Sequence, residues 1–198
     1  MTRHSAVVLA AGLSTRLGQA KQLLCVNGES LLRRAARLAG ETQPQVLVVV
    51  TPSGEAFDAE LVGLPARHVC NPSPADGVGS SLRLAAPCLG DAETVLVMVC
   101  DQPRLDLAHL QALIEAAARS PARCAATLSD EVLGSPAVVP AAWFEDRAGL
   151  TGDHGFGQRL RQTPGIAACR SLVPLQDIDQ PQDLQAARAA GWIDALPR

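Results

Sequence analysis

Aromatic side chains are scarce in this 198-residue chain, 3% of the total, so any core has to be built from Ala, Val and Leu. Of its 17 basic Lys and Arg residues, one alone, Lys21, is a lysine. No apolar stretch approaches the roughly 20 residues that a membrane-spanning helix needs, so no membrane association is expected. The opening Met1-Thr2-Arg3-His4-Ser5 leads into only about eight apolar residues before a Gly-rich loop, too short and without the cleavage-like site of a secretory leader. The six cysteines are scattered with no C-x-x-C pair, which argues against a disulfide framework or a zinc site and for reduced thiols in a cytoplasmic protein. A formal net charge of −3 excludes the broad basic face of a nucleic-acid binder, so any grip on phosphate must come from a local cluster. The fingerprint G-x-G-x-x-G and the P-loop G-x-x-x-x-G-K-[ST] are both missing. Internal repeats, low-complexity stretches and linkers are also lacking.

What is present is an alternation of short apolar runs with helical stretches. Strands are expected at 5–10, 46–50, 67–70, 94–100, 123–128, 137–139 and 167–173. Helices are expected at 30–40, with Ser30 as N-cap and Gly40 as stop, and at 55–62, 80–87, 107–119, 156–162 and 181–190. This order predicts an α/β protein with a mainly parallel sheet and helices on both faces. The length suits one domain, 1–198. Ligands in such sheets sit beyond the carboxyl ends of strands, so the loops that follow strands are where chemistry is sought.

The first such loop, residues 10–24, reads Ala10-Ala11-Gly12-Leu13-Ser14-Thr15-Arg16-Leu17-Gly18-Gln19-Ala20-Lys21-Gln22-Leu23-Leu24. A Gly-rich turn after a strand presents backbone N–H groups to anionic oxygens. Small Ala11 and Gly12 allow close approach to the main chain. Arg16 can fork onto phosphate oxygens, and Lys21 adds a compact point charge. Because the chain uses Arg almost everywhere else, the lone Lys21 marks a position where a planar guanidinium would not serve.

Two acidic segments complement this loop. Asp101-Gln102-Pro103 directly follows an apolar strand, which suits Asp101 to hold Mg²⁺ or to begin the next helix. In Asp177-Ile178-Asp179-Gln180-Pro181, Asp179 or Gln180 reads as a helix cap, with Pro181 in the first turn. Asp177 has no such role and would share a metal with Asp101 if the two loops converge. A cationic loop with two carboxylates, and no acid–base pair around a Ser or Cys, points to phosphoryl or nucleotidyl transfer.

The ordered segments Leu9-Ala10-Ala11-Gly12-x-Ser14-x-Arg16-x-Gly18-x-x-Lys21, Asn71-Pro72 with Gly77-Val78-Gly79-Ser80-Ser81-Leu82, Asp101-Gln102-Pro103, Gly134-Ser135-Pro136, Gly152-Asp153-x-Gly155 and Asp177-Ile178-Asp179-x-Pro181-x-Asp183-Leu184 resemble the motifs of MobA-like nucleotidyltransferases, closest to the molybdenum cofactor cytidylyltransferase branch. The resemblance implies a Rossmann-like three-layer sandwich, with a nucleotide-binding part at about 1–105 and an acceptor-side part at about 106–198. It implies Mg²⁺-dependent transfer of a nucleoside monophosphate to a phosphorylated acceptor, with release of pyrophosphate. CTP is the implied donor, molybdenum cofactor the acceptor, and a molybdoenzyme or its chaperone a candidate partner. Ala11 stands where the guanylyl branch usually has a second Gly, which tilts the donor from GTP towards CTP. Carried over residue by residue, Ala10, Ala11, Gly12, Ser14, Arg16, Lys21, Ser80 and Ser81 would contact nucleotide. Arg16, Lys21 and Asp101 would act in catalysis, and Asp101 would bind metal with Asp177 or Asp179. Gly134, Pro136, Asp153 and His154 would lie on the acceptor side, where His154 also reads as an exposed turn residue. Ser135 and His154 depart from the branch's usual G-H-P and G-D-R-G, which leaves transfer to another phosphorylated acceptor, or a non-catalytic cofactor-insertion partner, as alternatives.

Overall fold

The computed structural model describes residues 3–146, 149–152 and 155–195. In chain order its elements are β1 (His4–Leu9), β2 (Cys25–Val26), β3 (Glu29–Ser30), α1 (Leu31–Glu41), β4 (Leu47–Pro52), α2 (Glu55–Leu61), β5 (Arg67–Asn71), α3 (Val78–Ala85), β6 (Thr94–Val99), α4 (Leu107–Arg119), β7 (Ala125–Ser129), β8 (Val132–Pro140), α5 (Gly157–Gln162), β9 (Ala167–Cys169) and α6 (Pro181–Ala189). Seven strands form one sheet in the order β5-β4-β1-β6-β8-β7-β9, and β2 with β3 forms a small separate hairpin. Every pairing in the large sheet is parallel except those of β8, which runs antiparallel to both β6 and β7.

Small aliphatic residues make the core, as the shortage of aromatics requires. Along β1, Ala6 and Val8 face one layer and Val7 the other, so the strand is apolar on both sides, as a doubly covered strand must be. The first layer includes α1, α2 and α4, packed through Leu32, Ala36, Leu61, Leu110 and Leu113. The second includes α3 and α5, packed through Leu82, Ala85 and Leu160, together with Trp143, Phe144 and Phe156. The result is the three-layer, Rossmann-like α/β sandwich. Among the described residues no helix is long and apolar enough to cross a membrane.

Some local expectations shift. The strand expected at 137–139 is the longer β8, folded back from β7 through Asp130 and Glu131, both with left-handed backbone (φ 46° and 61°). So short a connection permits only antiparallel pairing, because a parallel return needs a crossover. Gly40 does not stop α1 but lies inside it; the chain leaves the helix at Gln43, in the left-handed region at φ 58°, just before Pro44. Ser30 does cap α1, accepting from the Arg33 N–H at 3.1 Å. The β2–β3 hairpin turns at Asn27-Gly28 (φ 52° and 79°), the dipeptide that favours such a turn.

The topology fixes where a ligand can sit. From β1 the chain builds outward to β4 and β5, then returns to place β6 on the other flank of β1. Leu9 pairs with Val99, so β1 and β6 end level and the loops following them open side by side at the switch point of the sheet.

Gly79, in the first turn of α3, packs against the segment at 149–152. Its N–H donates to the Gly152 carbonyl at 3.0 Å, and a Cβ there would meet backbone atoms of Leu150 and Thr151 at 2.7 Å. Backbone cannot move aside as a flexible side chain does. Gly79→Ala should therefore lower stability by about 1–3 kcal/mol, measured by urea unfolding. A loss below a few tenths would show that the 149–152 segment does not pack on α3.

Candidate functional site

The loop that follows β1 is held from within. Gln22 is almost fully buried, and its Nε2 donates to the carbonyls of Ala10 at 2.7 Å and Gly12 at 2.6 Å. Ser14, with left-handed backbone at φ 53°, accepts from the Lys21 N–H at 3.2 Å and reaches towards Gln22 Oε1 at 3.5 Å. The ends of the loop are thereby cross-braced, and the short 3₁₀ turn Lys21–Leu23 carries the lysine back over the end of β1. Gln22 gave no chemical signal in the sequence; it works through backbone carbonyls, which no residue pattern displays.

The closing acidic segment reaches the same place through a third, smaller core. Ile178 is buried with Leu17, Leu24, Leu31, Leu184, Ala187 and Ile193, and its N–H donates to the Asp101 carbonyl at 3.1 Å. With Ile178 turned into that core, its neighbours Asp177 and Asp179 both line the cleft. Asp179 is not a helix cap: its own N–H and that of Gln180 donate to Asp183, at 3.1 and 2.8 Å. Its carboxylate is left for the first loop. Lys21 Nζ donates to Asp101 Oδ2 and, at 2.8 Å, to Asp179 Oδ1, while Arg16 pairs with Asp179 Oδ2 at 3.2 Å.

These contacts set the charge states. Burial by itself would lower the Lys21 pKa, but the Asp101 and Asp179 carboxylates outweigh it and hold the ammonium above its ordinary range. The Lys21 hydrogen bond, with the Lys21 and Arg16 charges, keeps Asp179 below the usual carboxylate value. Asp177 is pushed up to about 6, first by partial loss of water among the surrounding loops and then by the neighbouring Asp101 charge.

Among the described residues, no group of three or more His, Cys, Asp or Glu is arranged to hold a metal ion. The Lys21 ammonium bridges two of the three carboxylates instead. The donor set nevertheless suits a hard cation: Asp101 Oδ1 is buried with no hydrogen-bond partner, and Asp177 lies near enough for the two like charges to oppose each other. A bound divalent cation would satisfy both conditions.

Ala10, Ala11, Gly12, Ser14, Arg16, Lys21, Ser81, Asp101, Asp177 and Asp179 come together around one open cleft of about 750 Å³. Ser80 lies behind the wall, its hydroxyl donating to the Gly77 carbonyl at 2.7 Å; Asn71 Nδ2 ties Ser80 and Ser81 together at 2.8 and 3.0 Å. Gly134 and Pro136 lie on β8 and do not line the cleft, and Asp153 and His154 fall outside the described residues. Gln102 is a further buried residue of the site, its Nε2 donating to Asp177 Oδ1 at 2.9 Å and towards the Ser135 carbonyl at 3.3 Å. The sequence showed it only as the middle letter of Asp101-Gln102-Pro103.

A doubly wound sheet with a braced cationic loop and convergent carboxylates at its switch point defines a nucleotidyltransferase-type site. The chain belongs to the MobA-like NTP transferase domain family, whose model matches residues 6–167. A probable molybdenum cofactor guanylyltransferase of Synechococcus elongatus is 33% identical over 152 residues, which cover 71% of this chain and 77% of that protein. The crystal structure of Rv0371c from Mycobacterium tuberculosis H37Rv superposes with a TM-score of 0.78 at 25% identity, covering 93% of this chain and 96% of that one. The structure of the Rv0371c complex with manganese superposes with a TM-score of 0.76 at 25% identity, covering 93% and 97%. This chain is a nucleotidyltransferase of that family.

Because the folded-state pKa of Asp177 is raised from 3.8 to about 6, its contribution to stability is complete below the unfolded value and is lost as pH rises through about 6. In metal-free protein, thermal melts between about pH 4.5 and about pH 8 should show Asp177→Asn gaining on the native chain as pH rises. Solvent screening of this exposed carboxylate limits the gain to about 1 kcal/mol. A difference that stays constant across the range would contradict the upward shift of Asp177 that burial and the Asp101 charge impose.

Proposed function

We propose that this protein transfers CMP from CTP to a terminal phosphate of molybdenum cofactor and releases pyrophosphate. The observation that carries the reading is the junction of Lys21 with Asp101 and Asp179 on the cleft, which places one ammonium and the unpartnered Asp101 oxygen beside the Gly-containing loop that follows β1.

In this reading the triphosphate lies along residues 10–16, whose main chain is open to close approach at Ala11 and Gly12. An acceptor phosphate oxygen bonds to the α-phosphorus as the bond to the bridging oxygen of the β-phosphate breaks, in line and with no covalent enzyme intermediate. Lys21 and Arg16 stabilise the charge that gathers on the departing pyrophosphate. Asp101, with Asp177 or Asp179, would hold Mg²⁺, which neutralises phosphate charge when bound. Ser81, on the cleft wall, meets the base or ribose, with Ser80 fixed behind it. The part up to about residue 105 binds nucleotide, and the part beyond, through Gly134, Pro136, Asp153 and His154, shapes the acceptor side. The protein acts in the cytoplasm and hands its product to a molybdoenzyme or its chaperone.

Ala11 supports CTP, since it stands where the guanylyl branch that the chain resembles usually has a second glycine. A second reading, transfer of GMP from GTP, is favoured by the name of the Synechococcus relative, a guanylyltransferase.

Incubation with molybdenum cofactor, Mg²⁺ and each of CTP, GTP, ATP and UTP tests both readings through pyrophosphate release. CTP should give the fastest release, and Lys21→Ala should slow it by about a hundredfold or more. Preference for GTP would select the second reading. No release above the Lys21→Ala control with any triphosphate would overturn enzymatic transfer to this acceptor.

A further inference from the structure

Gln102 lies where two parts of the site meet. It immediately follows Asp101, and its side chain is more than nine-tenths buried. Its Nε2 donates at 2.9 Å to Asp177 Oδ1, on the closing segment, and at 3.3 Å towards the Ser135 carbonyl, on β8. Both partners are acceptors, so the amide orientation is fixed without ambiguity: a flipped amide would set Oε1 against two oxygens. The other amide atom, Oε1, is buried without a hydrogen-bond partner, so the residue bears the cost of an unsatisfied polar group to make these two contacts. A purely structural position of this shape would be better filled by Leu or Met.

Asp177 needs such a contact. Most of its neighbours leave it free to turn: it is exposed to solvent, and unlike Asp179 it receives no hydrogen bond from Lys21 or Arg16 among the described contacts. It also faces the Asp101 charge, which favours a rotamer pointing away. The Gln102 amide opposes that tendency by holding one carboxylate oxygen, Oδ1, and leaves Oδ2 for another partner.

We propose that Gln102 is a positioning residue that holds Asp177 as a divalent-cation ligand facing Asp101 and ties that ligand to the acceptor-side strand β8 through Ser135. The inference rests on the assignment of a metal to Asp101 and Asp177 in the proposed function. It goes further in making Gln102 the link by which β8 and the metal ligand keep one geometry. Groups that orient a ligand in this way commonly change metal affinity by about tenfold to a hundredfold when removed.

The test is Mn²⁺ binding to the full chain without nucleotide, followed by electron paramagnetic resonance, for the native protein, Gln102→Met, Asp177→Ala and the double variant. Gln102→Met keeps the volume and removes the donor. It should weaken Mn²⁺ binding about tenfold, and in the Asp177→Ala background it should have no further effect. In turnover, the KM for CTP should stay within about twofold while that for Mg²⁺ rises, a split that a general loss of packing would not produce. Equal Mn²⁺ affinity in folded Gln102→Met and native protein would overturn the proposal, as would additive effects of the two substitutions. Should Gln102→Met not fold, the side-chain amide protons of Gln102 in the native protein decide: slow exchange with solvent that becomes fast in Asp177→Ala supports the contact, and unchanged exchange overturns it. Failure of pyrophosphate release with an intact Mn²⁺ effect would reject the proposed reaction and leave the role of Gln102 standing.

Discussion

One ammonium group holds this site together. Lys21 Nζ joins Asp101, at the end of β6, to Asp179, near the carboxyl end of the chain, and its own backbone N–H is fastened to Ser14 in the first loop. Without a cation between them, Asp101, Asp177 and Asp179 would repel one another and the closing segment would have no electrostatic reason to approach the sheet. A compact ammonium can donate from one nitrogen to two carboxylates, whereas a guanidinium spreads its donors over a plane. That difference accounts for a chain otherwise furnished with arginine having its sole lysine at this point.

The ion pairs do not act on bare loops. The Ile178–Leu184–Ile193 core fixes the closing segment against Leu17, Leu24 and Leu31, so the two carboxylates are delivered by apolar packing before charge is considered. Gln22 fixes the other side by donating to the carbonyls of Ala10 and Gly12. The cleft therefore has walls braced on both sides and a polar floor on which Lys21 and Arg16 pair with Asp101 and Asp179. In the proposed reaction, an incoming triphosphate with its cation would exchange for those internal contacts: phosphate oxygens would take the lysine, and the carboxylates would hold the cation. Such an exchange would let an anionic substrate bind to a site lined by acidic groups.

Much of the frame was legible because it rests on simple periodicity. The runs around Val7, Val48 and Val97 are apolar on both faces, and the helix at Leu107–Arg119 shows its pattern outright. The antiparallel β8 was not legible, because its direction depends on a two-residue turn at Asp130-Glu131 that carries no Gly or Pro to mark it. In the site, residues whose chemistry is written in their charge, such as Arg16, Lys21, Asp101 and Asp177, were visible and now meet around one cleft. Of the two cap candidates, Asp179 and Gln180, the structure selects Gln180, with Asp183 three residues on accepting from both of their N–H groups; the sequence pattern suits either, and only the fold shows that the Asp179 carboxylate turns to Lys21 and Arg16 instead. Gln22 and Gln102 were missed because neutral amides reveal their partners only in three dimensions.

The central claim is that the α-phosphorus of CTP changes partners in this cleft. Its most direct measurement follows ³²P placed at either the α or the γ position of CTP, with molybdenum cofactor and Mg²⁺ present. The account predicts that the α label moves into the pterin product while the γ label leaves as pyrophosphate, each in equal amount. Release of the α label as free CMP, or of the γ label as inorganic phosphate, would mean hydrolysis rather than transfer and would contradict the account.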